Sequence, residues 1–284
     1  MAMNLKTLGV RSLTGSVFVM VLLGCLLFGY TTFALLFFVV SLIGLSEFFS
    51  ISEKLGARPF KTVTYILAVI LYFLSVNHLY LFGSMGLLTF LFYPLLLLTP
   101  FILMAVAMFS KRESPLLDFS YSLFAILYAV LPFCLLQELV VKNYSFEADM
   151  MRYDYRSVLA VILLIWSNDT FAYLGGSLFG KHKMIARVSP GKTWEGTLFG
   201  ILVSFGISFL LQKYLVHESL GIWPVFGILV PVLATIGDLV ESMLKRQAGI
   251  KDSGNLMPGH GGVLDRFDSL IFVSPFVVII LNLL

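Results

Sequence analysis

Apolar stretches near the roughly 17–25 residues that an α-helix needs to cross a bilayer recur along the whole chain, separated by short polar gaps. The pattern places spans at 13–29, 31–50, 63–80, 86–108, 119–139, 157–178, 195–215, 221–243 and 268–284. It predicts an all-α fold, a polytopic integral membrane helical bundle of nine transmembrane helices, with ten as the alternative count. Residues 79–109 keep that alternative open, because Pro94 and Pro100 make the stretch either one long kinked helix or two short ones.

Composition excludes a soluble globular protein. Of the 284 residues, 59% are hydrophobic and 12% charged, against roughly 45–50% and about 25% in soluble domains. Cytoplasmic loops of membrane proteins are enriched in Lys and Arg. With nine spans, fifteen of the 19 basic residues fall on one face, leaving Lys142, Arg152, Arg156 and Lys213 on the other. The first face is therefore read as cytoplasmic, with the N-terminus inside and the C-terminus outside. The net charge of +3 is then a topology signal, and no nucleic-acid partner is indicated. Cys25 and Cys134 lie in apolar spans without CxxC spacing, which points to neither a disulfide framework nor a zinc site. Basic residues precede the first span as in a signal peptide, but no small-residue cleavage site follows, so it reads as a retained helix.

Residues 1–156 read as N-terminal transmembrane scaffold helices and 157–284 as a catalytic transmembrane half, within one integrated membrane domain. In the first half Glu47 is the carboxylate at membrane depth, either lining a cavity or lying at the interface beside Lys54. Tyr144, Tyr153 and Tyr155, in the outer loop 140–156, read as an interfacial aromatic belt. After residue 157, Asp169, Glu195, Asp238 and Glu241 appear inside or at the ends of apolar spans. A charge at membrane depth costs at least about 2.5–3.5 kcal/mol, so it is retained mostly where it pairs or lines a polar cavity.

The polar cluster Ser167, Asn168, Asp169 and Thr170 interrupts an apolar helix, and Asp169 shares a face with Tyr173 four residues on. Polar residues bonding between helices explain such a cluster equally well. The segment RVSPGKTWEG, 187–196, resembles half of a phosphate-binding P-loop, with Gly191, Lys192 and Thr193 in place but Ala186 where the first glycine belongs. No strand is predicted ahead of it, so a P-loop fold is rejected while the chemistry is kept. Lys192 supplies a point charge for phosphate, Ser189 and Thr193 supply hydroxyls, and a helix starting near Thr193 and Trp194 offers free N–H groups to an anion. Farther on, Asp238, Glu241, Ser242 and Lys245 form one polar stripe of a helix, which a self-neutralising pair with Lys245 would also explain.

From Ser242 to Asp268 the chain crowds together Lys245, Arg246, Lys251, Arg266, three carboxylates, His260 and five glycines. Gly259, Gly261 and Gly262 around His260 suit an anion-binding nest of backbone N–H groups. Asp265 and Asp268, three apart on the incoming helix, share a face. Carboxylates collected beside phosphate ligands suggest Mg²⁺, which is commonly held by one or two carboxylates plus substrate phosphates.

These residues carry a resemblance. Ser242, Leu244–Lys245–Arg246, Lys251–Asp252, Gly254, Pro258, His260–Gly261–Gly262 and Asp265–Arg266–Phe267–Asp268 resemble the signature of the phosphatidate cytidylyltransferases, or CDP-diacylglycerol synthases, and SPGKTWEG at 189–196 resembles a second segment of that family. Met257 departs from the Leu, Ile or Phe expected there, a conservative change. The resemblance implies transfer of the cytidylyl group of CTP to phosphatidic acid, giving CDP-diacylglycerol and pyrophosphate for phospholipid biosynthesis. It implies Mg²⁺ paired with K⁺, a homodimer, and a bacterial cytoplasmic (inner) membrane whose cytoplasmic side carries the active site. Under it, Asp238 and Asp265 are the expected metal ligands with Asp268 next, and Lys192, Lys245, Arg246, Lys251 and Arg266 hold phosphate oxygens. Asn168, Asp169, Ser189 and Thr193 complete the nucleotide pocket, with His260, Gly261 and Gly262 on the phosphates.

A CTP-dependent polyprenol or dolichol kinase needs the same parts but transfers the γ-phosphate and releases CDP. An ion-coupled transporter predicts matching interrupted helices in two halves, whereas here the polar residues are concentrated in the second half.

Overall fold

In a computed structural model, which describes residues 5–80, 89–143, 151–217 and 221–283, the apolar runs fold as α1 (Leu5–Phe28), α2 (Tyr30–Lys54), α3 (Lys61–Tyr80), α4 (Thr89–Phe109), α5 (Pro115–Ala129), α6 (Leu131–Leu139), α7 (Arg156–Phe179), α8 (Trp194–Leu211), α9 (Trp223–Gln247) and α10 (Leu264–Asn282). Among the described residues, six helical segments are long and apolar enough to cross a membrane: 30–54, 91–109, 115–139, 156–179, 194–216 and 223–247. Ser12–Phe28 and Lys61–Val76 are shorter apolar helices. The chain is a polytopic helical membrane protein.

Proline chemistry decides two boundaries. Pro94 and Pro100 both sit inside α4, so residues 89–109 form a single helix; neighbouring helices and local adjustment let membrane helices tolerate such breaks. The span 115–139 is divided instead, at Val130, just ahead of Pro132 in the first turn of α6. Two short antiparallel hairpins stand outside an all-α expectation: β1 (Val141–Asn143) with β2 (Met151–Tyr153), and β3 (Lys183–Ile185) with β4 (Ser189–Thr193). The SPGKT segment, expected as a loop, is thus a strand.

Two compact units divide the chain, 1–153 with 247–267 and 154–246 with 268–284. The core of the first is aromatic. Phe267 meets Phe18, Phe37 and Phe133 edge-on at 5.6, 5.9 and 5.8 Å between ring centroids, and Phe37 stacks on Phe133 at 5.5 Å. Such pairs add to the area term of burial. The Tyr153 hydroxyl donates to the Leu26 carbonyl at 2.5 Å and its ring packs on Tyr30. Tyr144 lies outside the described residues. The buried Asp118 carboxylate accepts from the Arg58 amide at 2.6 Å and pairs with Arg112 at 3.1 Å.

In the second unit α7 and α8 pack backbone to backbone through small residues, as membrane helices do when close approach replaces the hydrophobic effect. A Cβ at Gly196 would lie 2.8 Å from both the N and the Cα of Gly176, and one at Gly200 would lie 2.7 Å from Asn168 Oδ1. Gly206, on the same helix, has open space instead. Gly196→Ala is therefore expected to destabilise the protein by about 1–3 kcal/mol, the range for overpacking. Thermal melting in detergent checks this, with Gly206→Ala expected within ~0.5 kcal/mol of wild type; equal melting of the two variants contradicts the packing. α9 is held to α7 by Asn168 Nδ2 on Thr235 Oγ1 at 3.5 Å, and to α10 by Ser269 Oγ on the Ala234 carbonyl at 3.3 Å.

Candidate active site

The second unit contains a polar cavity of about 360 Å³. α7 supplies Asn168 and Asp169, β4 supplies Ser189, Lys192 and Thr193, and α9 supplies Asp238. Six residues singled out from three separate sequence motifs thus line one space. Its central contact is the ion pair of Lys192 Nζ with Asp238 Oδ2, 2.5 Å apart. Ser242 Oγ donates to the other oxygen of Asp238 at 3.1 Å. Asp268 joins the group electrostatically, repelled by Asp238 and Asp169 and attracted by Lys192. Asn168 is 2% exposed, and its Oδ1 has no hydrogen-bond partner.

The α8 start read from sequence is present, with Thr193 as its N-cap accepting from the Gly196 amide at 3.2 Å. The neighbouring amides are occupied too. Trp194 N donates to the His182 carbonyl at 3.0 Å, and Glu195, in the first turn, accepts from the Lys181 and His182 amides and from His182 Nδ1. The helix end is therefore closed by the chain's own groups, and a phosphate in this cavity meets the Lys192 ammonium and the open backbone at Gly191. On α9 the self-neutralising alternative holds for half the stripe: Lys245 pairs with the buried Glu241 at 2.5 Å, while Asp238 turns to Lys192. Arg246 is exposed at the end of that helix.

The remaining residues of the signature, Lys251 to Phe267, belong to the first unit. Their glycine-rich loop does form a ring of amides around carboxylate oxygens, but the anions are the protein's own. Asp265 Oδ2 accepts from Ser253 N at 2.8 Å, Ser253 Oγ at 2.9 Å and Gly262 N at 2.7 Å. Glu47, reaching in from α2, accepts from Ser253 Oγ, Val263 N and Leu264 N, each at 2.9 Å. The last two are orphan amides of the first turn of α10, so Glu47 caps that helix across more than 200 residues of sequence. Gly262 has to be glycine, because a Cβ there would run into Glu47 and Ser253, and Gly261 has φ +82 with Asp265 against its open side. His260 Nδ1 shares a hydrogen bond with Thr14 Oγ1 at 2.8 Å. Lys251 and Arg266 are exposed.

Glu47 is the residue whose place sequence reasoning left undecided; its one signal was a carboxylate inside an apolar span, and nothing local pointed to the loop it holds. Three aspartates, Asp169, Asp238 and Asp268, and one lysine interact in the second unit. That oxygen-rich, anion-heavy donor set suits a hard cation. Among the described residues no three His, Cys, Asp or Glu side chains form a ready-made metal cage.

The profile of the Cytidylyltransferase family matches residues 9–284. A phosphatidate cytidylyltransferase of Staphylococcus haemolyticus is 33% identical over 275 residues, covering 96% of this chain and 98% of that protein. Enzymes of the same name from Staphylococcus epidermidis and Staphylococcus aureus are each 36% identical over 64% of this chain and 66% of their own length. With the profile and one relative both aligned almost from end to end, the chain belongs to the cytidylyltransferase family.

Proposed function

We propose that this protein is a phosphatidate cytidylyltransferase, transferring the cytidylyl group of CTP to phosphatidic acid and releasing pyrophosphate. The observation that carries the reading is a polar cavity built around the Lys192–Asp238 pair, inside a membrane protein that aligns end to end with an enzyme of that name. A phosphate oxygen of the lipid attacks the α-phosphorus of CTP, a new P–O bond forms, and the bond to the β-phosphate oxygen breaks. Such a transfer depends on positioning and charge neutralisation more than on covalent help from the protein.

In this reading Lys192 exchanges Asp238 for a triphosphate oxygen, and Arg246 of the same unit supplies further positive charge. Asn168, Asp169, Ser189 and Thr193 orient the nucleotide; the unpartnered Asn168 Oδ1 is the acceptor that a nucleotide donor would satisfy. Asp238 and Asp268 would hold Mg²⁺, with K⁺ as companion ion. Asp265 contributes by fixing the loop through the three bonds that its Oδ2 accepts. Gly261 and Gly262 shape that loop, and His260 anchors it to α1. Mg²⁺ supplies Lewis-acid neutralisation of the phosphates when bound.

The finer topology belongs to the same proposal: nine spans, counting α5 and α6 as one, with the N-terminus and active site cytoplasmic. The positions of α1 to α10 and the basic residues support it. A bacterial cytoplasmic membrane, to which the bacterial relatives point, and a homodimeric assembly belong to the same proposal. Purified protein given CTP, phosphatidic acid and Mg²⁺ is expected to release pyrophosphate; release of CDP would instead identify a lipid kinase.

A further inference from the structure

We propose that Tyr173 and Ser177 form the base subsite of the polar cavity, Tyr173 as the platform on which a pyrimidine stacks and Ser177 as the acceptor that selects cytosine over uracil. The inference rests on the proposed function and names the part of that site which reads the nucleotide. Asp169, Tyr173 and Ser177 follow one another at four-residue steps, so they form one stripe of α7, and all three line the cavity. Asp169 belongs to the charged group with Asp238, Asp268 and Lys192. Tyr173 and Ser177 stand about 6 and about 12 Å farther along the helix axis, at roughly 1.5 Å per residue. That spacing leaves room for a ribose between phosphates held at Lys192 and a base held at Tyr173.

Each side chain has the chemistry for its task. Tyr173 is 76% exposed, so the protein leaves most of its ring uncovered, and an aromatic face takes up any base by stacking. An interfacial aromatic would be as exposed, but it need not share a cavity wall with Asp169, Lys192 and Asp238, as Tyr173 does. Stacking alone does not choose a base; Ser177 supplies the choice. A serine hydroxyl carries one donor hydrogen and two acceptor lone pairs. Ser177 gives its hydrogen to the Leu174 carbonyl at 2.8 Å, so toward the cavity its oxygen only accepts. Cytosine presents a donating amino group at its exocyclic position, where uracil, like thymine, carries an accepting oxygen. CTP therefore gains a hydrogen bond at Ser177, and UTP sets two acceptors against each other.

The test measures equilibrium binding of CTP, UTP and inorganic tripolyphosphate to the full-length protein in detergent with Mg²⁺, for wild type, Tyr173→Ala, Tyr173→Phe and Ser177→Ala. Both side chains are exposed, so all three variants should melt like wild type. Tyr173→Ala is expected to weaken CTP and UTP about tenfold each, within the range for one base on an aromatic ring, and to leave tripolyphosphate unchanged. Tyr173→Phe keeps the ring and should bind all three ligands like wild type. Ser177→Ala should cut the preference for CTP over UTP about fivefold, the effect of one neutral hydrogen bond. The platform is overturned if Tyr173→Ala leaves CTP binding unchanged or weakens tripolyphosphate as much as CTP. An unchanged preference in Ser177→Ala, or wild type with no preference for CTP over UTP, overturns the reading by Ser177. Wild type that binds as expected yet forms no CDP-diacylglycerol from phosphatidic acid overturns the proposed reaction and leaves the base subsite standing.

Discussion

Asp238→Asn is expected to lower turnover by about 10²- to 10³-fold while the melting temperature stays close to that of wild type. The two halves of this expectation have separate causes. Stability depends on the carboxylate only through the Lys192 pair and one hydroxyl bond, and the paired side chains are 25% and 33% exposed. Ion pairs with that much solvent contribute roughly 1 kcal/mol or less. Under the proposed function turnover depends on the carboxylate as a metal ligand, and losing several kcal/mol of charge neutralisation in the transition state corresponds to the stated factor at about 1.4 kcal/mol per tenfold. The variant should also need more Mg²⁺ for half-maximal activity, which a purely structural role for Asp238 does not predict. Near-wild-type turnover with unchanged Mg²⁺ dependence would remove Asp238 from the metal assignment.

Glu47→Ala reverses the order, with stability falling first. Its carboxyl group is 9% exposed by residue and accepts three bonds at 2.9 Å, two of them from the opening turn of α10. Truncation leaves two backbone donors without their acceptor, each costing about 1–3 kcal/mol when buried, and removes a favourable charge from a helix N-terminus, while the Ser253 hydroxyl keeps Asp265. A loss of roughly 3–5 kcal/mol is expected, the range for breaking a buried charged contact. Thermal inactivation in detergent measures it. Activity remaining below the midpoint should still be reduced, because Ser253 is shared between Glu47 and Asp265 and the loop loses that link. Glu47→Gln keeps the length and one acceptor, so it should recover part of both. Melting of Glu47→Ala at the wild-type temperature would show that the loop holds its shape without α2.

The helices were legible in the sequence because hydropathy is a local signal: 157–178 was expected where α7 runs Arg156–Phe179, and 31–50 where α2 runs Tyr30–Lys54. Discrepancies fall where the helix outlasts its apolar run. α2 continues past its apolar run until Gly56 turns the chain at φ +88, and α9 continues through its polar stripe until Gly249 at φ +69. The β3–β4 hairpin was not legible, since strands of three and five residues, the second carrying Pro190 and Gly191, leave no usable period. The site was legible as a set of motifs and illegible as a set of partners. Asp238 and Lys192 are 46 positions apart, and Glu47 and Val263 are 216 apart. A glycine-rich loop announces amides that need an anion. It does not announce that the chain supplies the anion itself, as Glu47 and Asp265 do.

The most direct measurement follows the two ends of the nucleotide. Purified protein is given phosphatidic acid, Mg²⁺ and CTP labelled either at its α-phosphate or at its γ-phosphate, and the label is counted in the lipid phase. Cytidylyl transfer predicts that α-label enters the lipid with the cytidine while γ-label stays in water as pyrophosphate. Appearance of γ-label in the lipid phase, or of neither label under conditions where the protein is folded, would contradict it.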